Sequence, residues 1–215
     1  MPESALTAAA VIFLAAILTN NILLSKFLGM CSFIALSRNM KTSWGMGLAV
    51  TFVTVCTAML NYAIYYGVLI SAADAALQGR PAPWIDADLT HLAFLVFIMS
   101  IAGFVQLVEM VIERFSPVLY YNLGIYLPLI TVNCAILGVS VLMVDPDRKF
   151  DFLATAAYGL GSGLGYLLAI CLMAGLRAKL EHADVPKALR GLGITVIITG
   201  VMAMAFMGFT GVVDL

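Results

Sequence analysis

"FLGMCSF", residues 27–33, places a thiol two residues after a glycine inside an apolar run, and it follows directly on Lys26. From Ala5 to Leu36 that lysine is the only charged residue. As one straight helix the run would be about 48 Å long, at about 1.5 Å per residue. The hydrocarbon core of a bilayer is about 30 Å thick. "ITVNCAI", residues 130–136, puts a second cysteine in a second long run. That run, Ser116 to Val144, is uncharged and contains Pro117, Gly124, Pro128 and Gly138. Tilt absorbs part of such an excess, and two tilted helices with proline kinks are one reading. Breaking each run into two half-helices accounts for more. The breaks are expected at Gly29, beside Cys31, and at Pro128, before Cys134.

The composition sets the solvent. Of the 215 residues, 63% are hydrophobic and 11% charged, and the mean hydropathy is +1.05. A soluble domain carries roughly a quarter charged residues, so this is an integral membrane protein. A net charge of −1 provides no electrostatic basis for nucleic-acid binding. The apolar runs far exceed the roughly ten residues of a barrel strand, which leaves helices to satisfy the backbone in lipid. "MPESALTAAA" lacks a positive n-region and reads as the start of an anchor helix, not a cleaved signal.

Six spans are predicted, near residues 6–36, 43–70, 90–112, 117–144, 152–176 and 191–213. Between them lie "SRNMKTS", "SAADAALQGRPAPWIDADLT", "ERFSP", "DPDRKFD" and "RAKLEHADVPKALR". One side of the membrane then holds Arg38, Lys41, Arg114, Arg177, Lys179, Lys187 and Arg190; the other holds Arg80, Arg148 and Lys149. The positive-inside rule puts the first set in the cytoplasm and both termini outside.

Six spans divide into three and three within a single membrane domain. An odd number per half makes the second half enter from the opposite side, which is an inverted-topology repeat with halves 1–113 and 114–215. Each half runs from an Asn through apolar sequence to a Cys: Asn21 to Cys31, and Asn122 to Cys134. Each second span begins Gly-x-Gly and carries a later cysteine, in "GMGLAVTFVTVC" and "GLGSGLGYLLAIC". In such a repeat Cys31 and Cys134 lie at equivalent depth. Irregular backbone there must be covered by protein or line a cavity, so the breaks are expected to face each other.

None of the four cysteines, Cys31, Cys56, Cys134 and Cys171, has Cys-x-x-Cys spacing, and a disulfide framework does not suit apolar spans. Cys56 and Cys171 read as small hydrophobes in regular helix. Cys31 and Cys134, each at a break, are candidates for a redox or metal role. A 2Fe–2S cluster needs four thiolates; the other two would come from Cys56 and Cys171 or from a second chain. Lys26 and Glu109 are ionisable residues inside spans, a position that is functional by default, although Glu109 lies within a turn of Glu113 and Arg114 and also reads as interfacial. Asn20, Asn21 and Asn133 are suited to capping broken helices. "YGLGSGLGYL", residues 158–167, is a small-residue face for close helix packing.

"NNILLSKFLGMCSFIALSRN", "GMGLAVTFV", "LGIYLPLITVNCAILG", "YGLGSGLGYLLAI", "DVPKALRGLGIT" and "MAFMGFTG" together resemble a family of paired membrane subunits. These occur in the Na⁺-translocating NADH:quinone reductase and in the Rnf-type ferredoxin:NAD⁺ oxidoreductase. "VNCAILG", "GSGLGYLLAI" and "RGLGIT" favour the quinone reductase, whereas "NNILLSKFLG" is also similar to the A component of the Rnf complex. The resemblance implies six helices in inverted repeats with the N-terminus outside. It implies a homologous membrane partner, the D component of the reductase or the E component of the Rnf complex, within a six-subunit complex. It further implies an intramembrane 2Fe–2S cluster at the interface, with two cysteines from each of the paired chains; by motif these are Cys31 and Cys134 here. Gly29 and Asn133 flank them, with Lys26 and Glu109 as supporting candidates. Flavins, NADH and quinone would be held by other subunits, and the whole would couple electron transfer to Na⁺ export. A reading of a different class is a secondary transporter, for which broken helices in inverted repeats are also characteristic.

Overall fold

The structure is a computed structural model and describes residues 2–70, 90–115, 127–145, 150–180, 186 and 191–209. The long loop 71–89, the start of the fourth span with Pro117, Asn122 and Gly124, and the end of the sixth span lie outside the described residues. So do Arg80, Arg148, Lys149, Lys187 and Arg190 of the orientation count.

The first apolar run is built as two helices, α1 (Pro2–Ile17) and α2 (Met30–Leu36). Between them the chain is irregular, and its backbone groups are met locally. Thr19 Oγ1 and the Asn20 amide both donate to the Ala15 carbonyl, at 3.0 and 2.7 Å. Buried Asn21 donates to the Ile17 carbonyl at 3.0 Å and to the Gly165 carbonyl at 2.9 Å. Its Oδ1 accepts from the amides of Leu23 and Leu24, at 3.1 and 3.3 Å. One side chain thus closes the end of α1, turns the chain and ties it to a distant helix, satisfying backbone that lipid would leave bare.

The fourth span is also divided, into α5 (Leu127–Thr131) and α6 (Cys134–Leu142). The break falls at Val132–Asn133 and not at Pro128, which lies within α5. α5 closes by tightening: the Asn133 amide reaches back three residues to the Ile130 carbonyl at 3.1 Å.

Among the described residues, three helices are long and apolar enough to cross a membrane: α3 (Met40–Ile64, continued by a π turn over Tyr65–Leu69), α4 (Ala93–Phe115, after a short 3₁₀ turn at Thr90–Leu92) and α7 (Phe152–Leu180). α8 (Leu192–Met207) is shorter. α7 runs a full turn beyond the predicted 176. α3 and α7 form the most extensive helix pair, and α1 lies against α7 as well. Glycine permits this approach. A Cβ at Gly163 would lie 2.7 Å from the Thr51 Cα, and one at Gly161 2.7 Å from the Phe13 carbonyl oxygen. In lipid, helix association rests on such packing and on interhelical hydrogen bonds. One set of these joins α3, α4 and α6: buried Asn61 donates to Ser140 Oγ at 2.8 Å and accepts from Ser100 Oγ.

Candidate functional site

The two breaks meet. Gly29, the residue before α2, donates its amide hydrogen to Cys134 Sγ at 2.9 Å, and Cys134 is the first residue of α6. Gly29 has φ 88° and ψ 14°, a left-handed conformation that costs glycine nothing and other residues 1–2 kcal/mol or so. Space adds a second requirement. A Cβ here would stand 3.0 Å from Ala135 Cβ, 3.1 Å from Tyr166 Cε2 and 3.2 Å from Asn133 Oδ1. Phe27, just upstream, also has positive φ, 55°, and is exposed; a bulky residue rarely adopts it.

Asn133 caps α6: its Oδ1 accepts from the Ala135 amide at 3.0 Å, which satisfies one of the free donors at a helix start. Its Nδ2 donates to Ser32 Oγ at 3.2 Å. Ser32 Oγ in turn donates to the Gly29 carbonyl at 3.0 Å and lies 2.7 Å from the Tyr166 hydroxyl. Ser32 and Tyr166 are fully buried. Cys134 is half-buried and Cys31, in the first turn of α2, is exposed.

Of the residues singled out from the sequence, Gly29, Asn133 and Cys134 are brought into contact, with Cys31 two residues beyond Gly29 in the first turn of α2. Lys26 is exposed on the irregular stretch, and Glu109 is half-exposed towards the end of α4. Neither side chain has an ion pair or hydrogen bond among the described residues. Cys56 and Cys171 are half-buried on α3 and α7. Ser32 and Tyr166 carry no signal in the sequence beyond adjacency to Cys31 and to the glycine-rich face. Arg177 reads there only as a cytoplasmic charge. In the fold it donates to the Ile34 carbonyl in the last turn of α2 at 3.1 Å and to Thr195 Oγ1 of α8 at 2.6 Å. A separate, mostly apolar cavity of about 230 Å³ lies between the stretch Leu18–Phe27 and the C-terminal half of α8.

The donor set suits half of an iron–sulfur site. No group of three or more His, Cys, Asp or Glu side chains comes together among the described residues; a 2Fe–2S cluster needs four thiolates, so two further ones would have to approach Cys31 and Cys134. The exposure of Cys31 leaves that approach open. The amide aimed at the Cys134 sulfur and the N-terminal end of α6 favour negative charge at that point.

Apolar helices, two spans of them broken, with the interrupted ends meeting at Gly29 and Cys134, define a polytopic membrane protein. The family of Rnf-Nqr subunits, described as membrane proteins, matches residues 9–213, and the chain belongs to it. It is 49% identical over 201 residues to the NqrE component of the Na⁺-translocating NADH-quinone reductase of Psychromonas ingrahamii, covering 94% of this chain and 96% of that protein. The protein of the same name from Pseudoalteromonas translucida is 47% identical, with the same coverage. That from Rhodopirellula baltica is 45% identical over 206 residues, again covering 94% and 96%.

Proposed function

We propose that this chain is the NqrE component of a Na⁺-translocating NADH:quinone reductase, and that it relays electrons through an intramembrane 2Fe–2S cluster shared with the homologous NqrD component. The relatives' names support placing it with the quinone reductase rather than with an Rnf complex. The observation that carries the cluster reading is the Gly29–Cys134 contact, which draws the two thiol-bearing breaks to one place.

When bound, the cluster supplies one-electron storage in the middle of the membrane. This chain's part is structural and electrostatic. Cys31 and Cys134 offer two thiolates, and Gly29 offers an amide donor to one of them. Asn133 fixes the start of α6, and Asn21 fixes the turn that leads to α2. Lys26 brings a positive charge to the same break, and Glu109 is an interfacial carboxylate.

We read the six spans as inverted halves, 1–113 and 114–215, with both termini periplasmic. In that arrangement α3 and α7 are counterparts, in keeping with their close packing, and α2 and α6 begin at matched depth from opposite sides. Flavin-bearing subunits would then approach the thiol pair from either face of the membrane, and Na⁺ export would be coupled to that exchange. Coupling requires that charge at the thiol pair interact differently with the two access states.

Complementation tests the assignment. In a strain lacking the gene, the parent chain should restore Na⁺-stimulated NADH:quinone reduction in membrane vesicles, and Cys31→Ser should not. Full restoration by Cys31→Ser would contradict the ligand assignment.

A further inference from the structure

We propose that Tyr166 is a positioning residue for the thiol pair: through Ser32 it fixes the Gly29 peptide, and so sets the hydrogen bond that the Gly29 amide gives to Cys134 Sγ. This rests on the cluster reading above.

Hydrogen-bond valence shows how. A serine hydroxyl has one donor and two acceptor positions. Ser32 Oγ uses its hydrogen towards the Gly29 carbonyl, at 3.0 Å, and accepts from Asn133 Nδ2, at 3.2 Å. Its remaining position is an acceptor, so in the 2.7 Å contact the Tyr166 hydroxyl is the donor. With all three positions filled, the Ser32 hydrogen is directed at Gly29. The Gly29 carbonyl also accepts the Phe33 amide at 3.1 Å. Its other peptide group points the N–H at the Cys134 sulfur, at 2.9 Å.

Glycine at φ 88° has no side chain to hold its backbone angles, so its partners hold them. Ser32 and the Phe33 amide hold its carbonyl from the start of α2, and the Cys134 sulfur, Ala135, Asn133 and the Tyr166 ring edge crowd it from α6, its cap and α7. Tyr166 is the one that α7 contributes, and it is fully buried. Removing its hydroxyl empties one acceptor position on Ser32, frees the serine to turn, and loosens the Gly29–Met30 peptide and, through the Gly29 backbone angles, the neighbouring peptide whose N–H donates to sulfur. Amide hydrogen bonds to cluster sulfurs are among the features that set reduction potential. They stabilise the more negative, reduced state, and weakening one lowers the potential.

The test is Tyr166→Phe, which keeps the ring and removes only the hydroxyl, in the intact complex purified from membranes. The signal of the reduced cluster is followed by electron paramagnetic resonance through a redox titration, with iron content measured in parallel. The expected result is unchanged iron and an equilibrium constant for reduction lowered about threefold or more, about 28 mV for a one-electron couple. Unchanged iron with an unchanged midpoint overturns the proposal. If Tyr166→Phe lacks iron, Ser32→Ala is titrated in the same way: a lowered midpoint supports the proposal, and an unchanged one overturns it. Loss of iron from both variants overturns it too, because the network then builds the site and does not tune it. A parent complex without any such signal would overturn the cluster reading itself, and this proposal with it.

Discussion

The amide of Gly29 and the sulfur of Cys134 stand 2.9 Å apart although 105 positions separate them in the chain. Neither end of this contact tolerates a substitute easily. Gly29→Ala combines a left-handed backbone with a Cβ placed 3.0–3.2 Å from three neighbours. Strain of about 1–2 kcal/mol from the backbone and a further 1 kcal/mol or so from crowding are expected. The variant should assemble with a lowered thermal midpoint and reduced iron content in the purified complex. Parent-like values for both would show that the backbone at this position relaxes freely.

Asn21 makes four hydrogen bonds with one side chain. Asn21→Ala leaves two buried amides and two carbonyls short of a partner, each worth roughly 1–3 kcal/mol when orphaned. Asn21→Asp keeps the acceptor, loses both donors and buries a charge, so it should be the worse of the two. The yield of folded protein from membranes, compared by size-exclusion in detergent, should fall in the order parent, Ala, Asp.

Gly163→Val is aimed at the α3–α7 seam, where the Thr51 backbone leaves no room for a Cβ. A backbone atom cannot step aside as the end of a side chain can, so the helices must separate. The expected destabilisation is roughly 1–3 kcal/mol or more. Gly175→Val, on the same helix with nothing nearer than 3.9 Å from the added Cβ, should be near neutral. Equal midpoints for the two in thermal unfolding would argue against glycine-mediated packing.

Arg177 joins the last turn of α2 to α8 through two donors on one planar group. Lysine cannot reproduce that fork. Arg177→Lys should lose part of the stability contributed, and Arg177→Gln more, about 1.5–3 kcal/mol for hydrogen bonds from a charged group. Thermal unfolding of the detergent-solubilised complex reads both values.

Much of this arrangement is legible in the residues. A run with one charge over a length too great for a bilayer points to an interrupted helix near Gly29, and two such runs each carry a cysteine. The second break is displaced from its expected place: Pro128 looks like a helix breaker, yet it lies within α5, and the chain leaves the helix only after Thr131. Asn133, an ordinary capping residue, marks the true boundary. The Ser32–Tyr166 contact is beyond reach of the sequence, since it joins positions 134 apart and nothing in the motif around either residue points to the other. Arg177 is hidden for a related reason: a cationic residue at a helix end is ordinarily a solvated charge, and only the fold delivers the Ile34 carbonyl to it.

The assignment of the thiol pair is tested most directly by the iron–sulfur signal of the dithionite-reduced complex, compared between Cys134→Ser and the double variant Cys56→Ala/Cys171→Ala. The structure places Cys134 at the meeting of the breaks and Cys56 and Cys171 on regular helix. The signal and its iron should vanish in the first variant and persist in the second. A signal that survives Cys134→Ser, or one that disappears with Cys56 and Cys171, would contradict it.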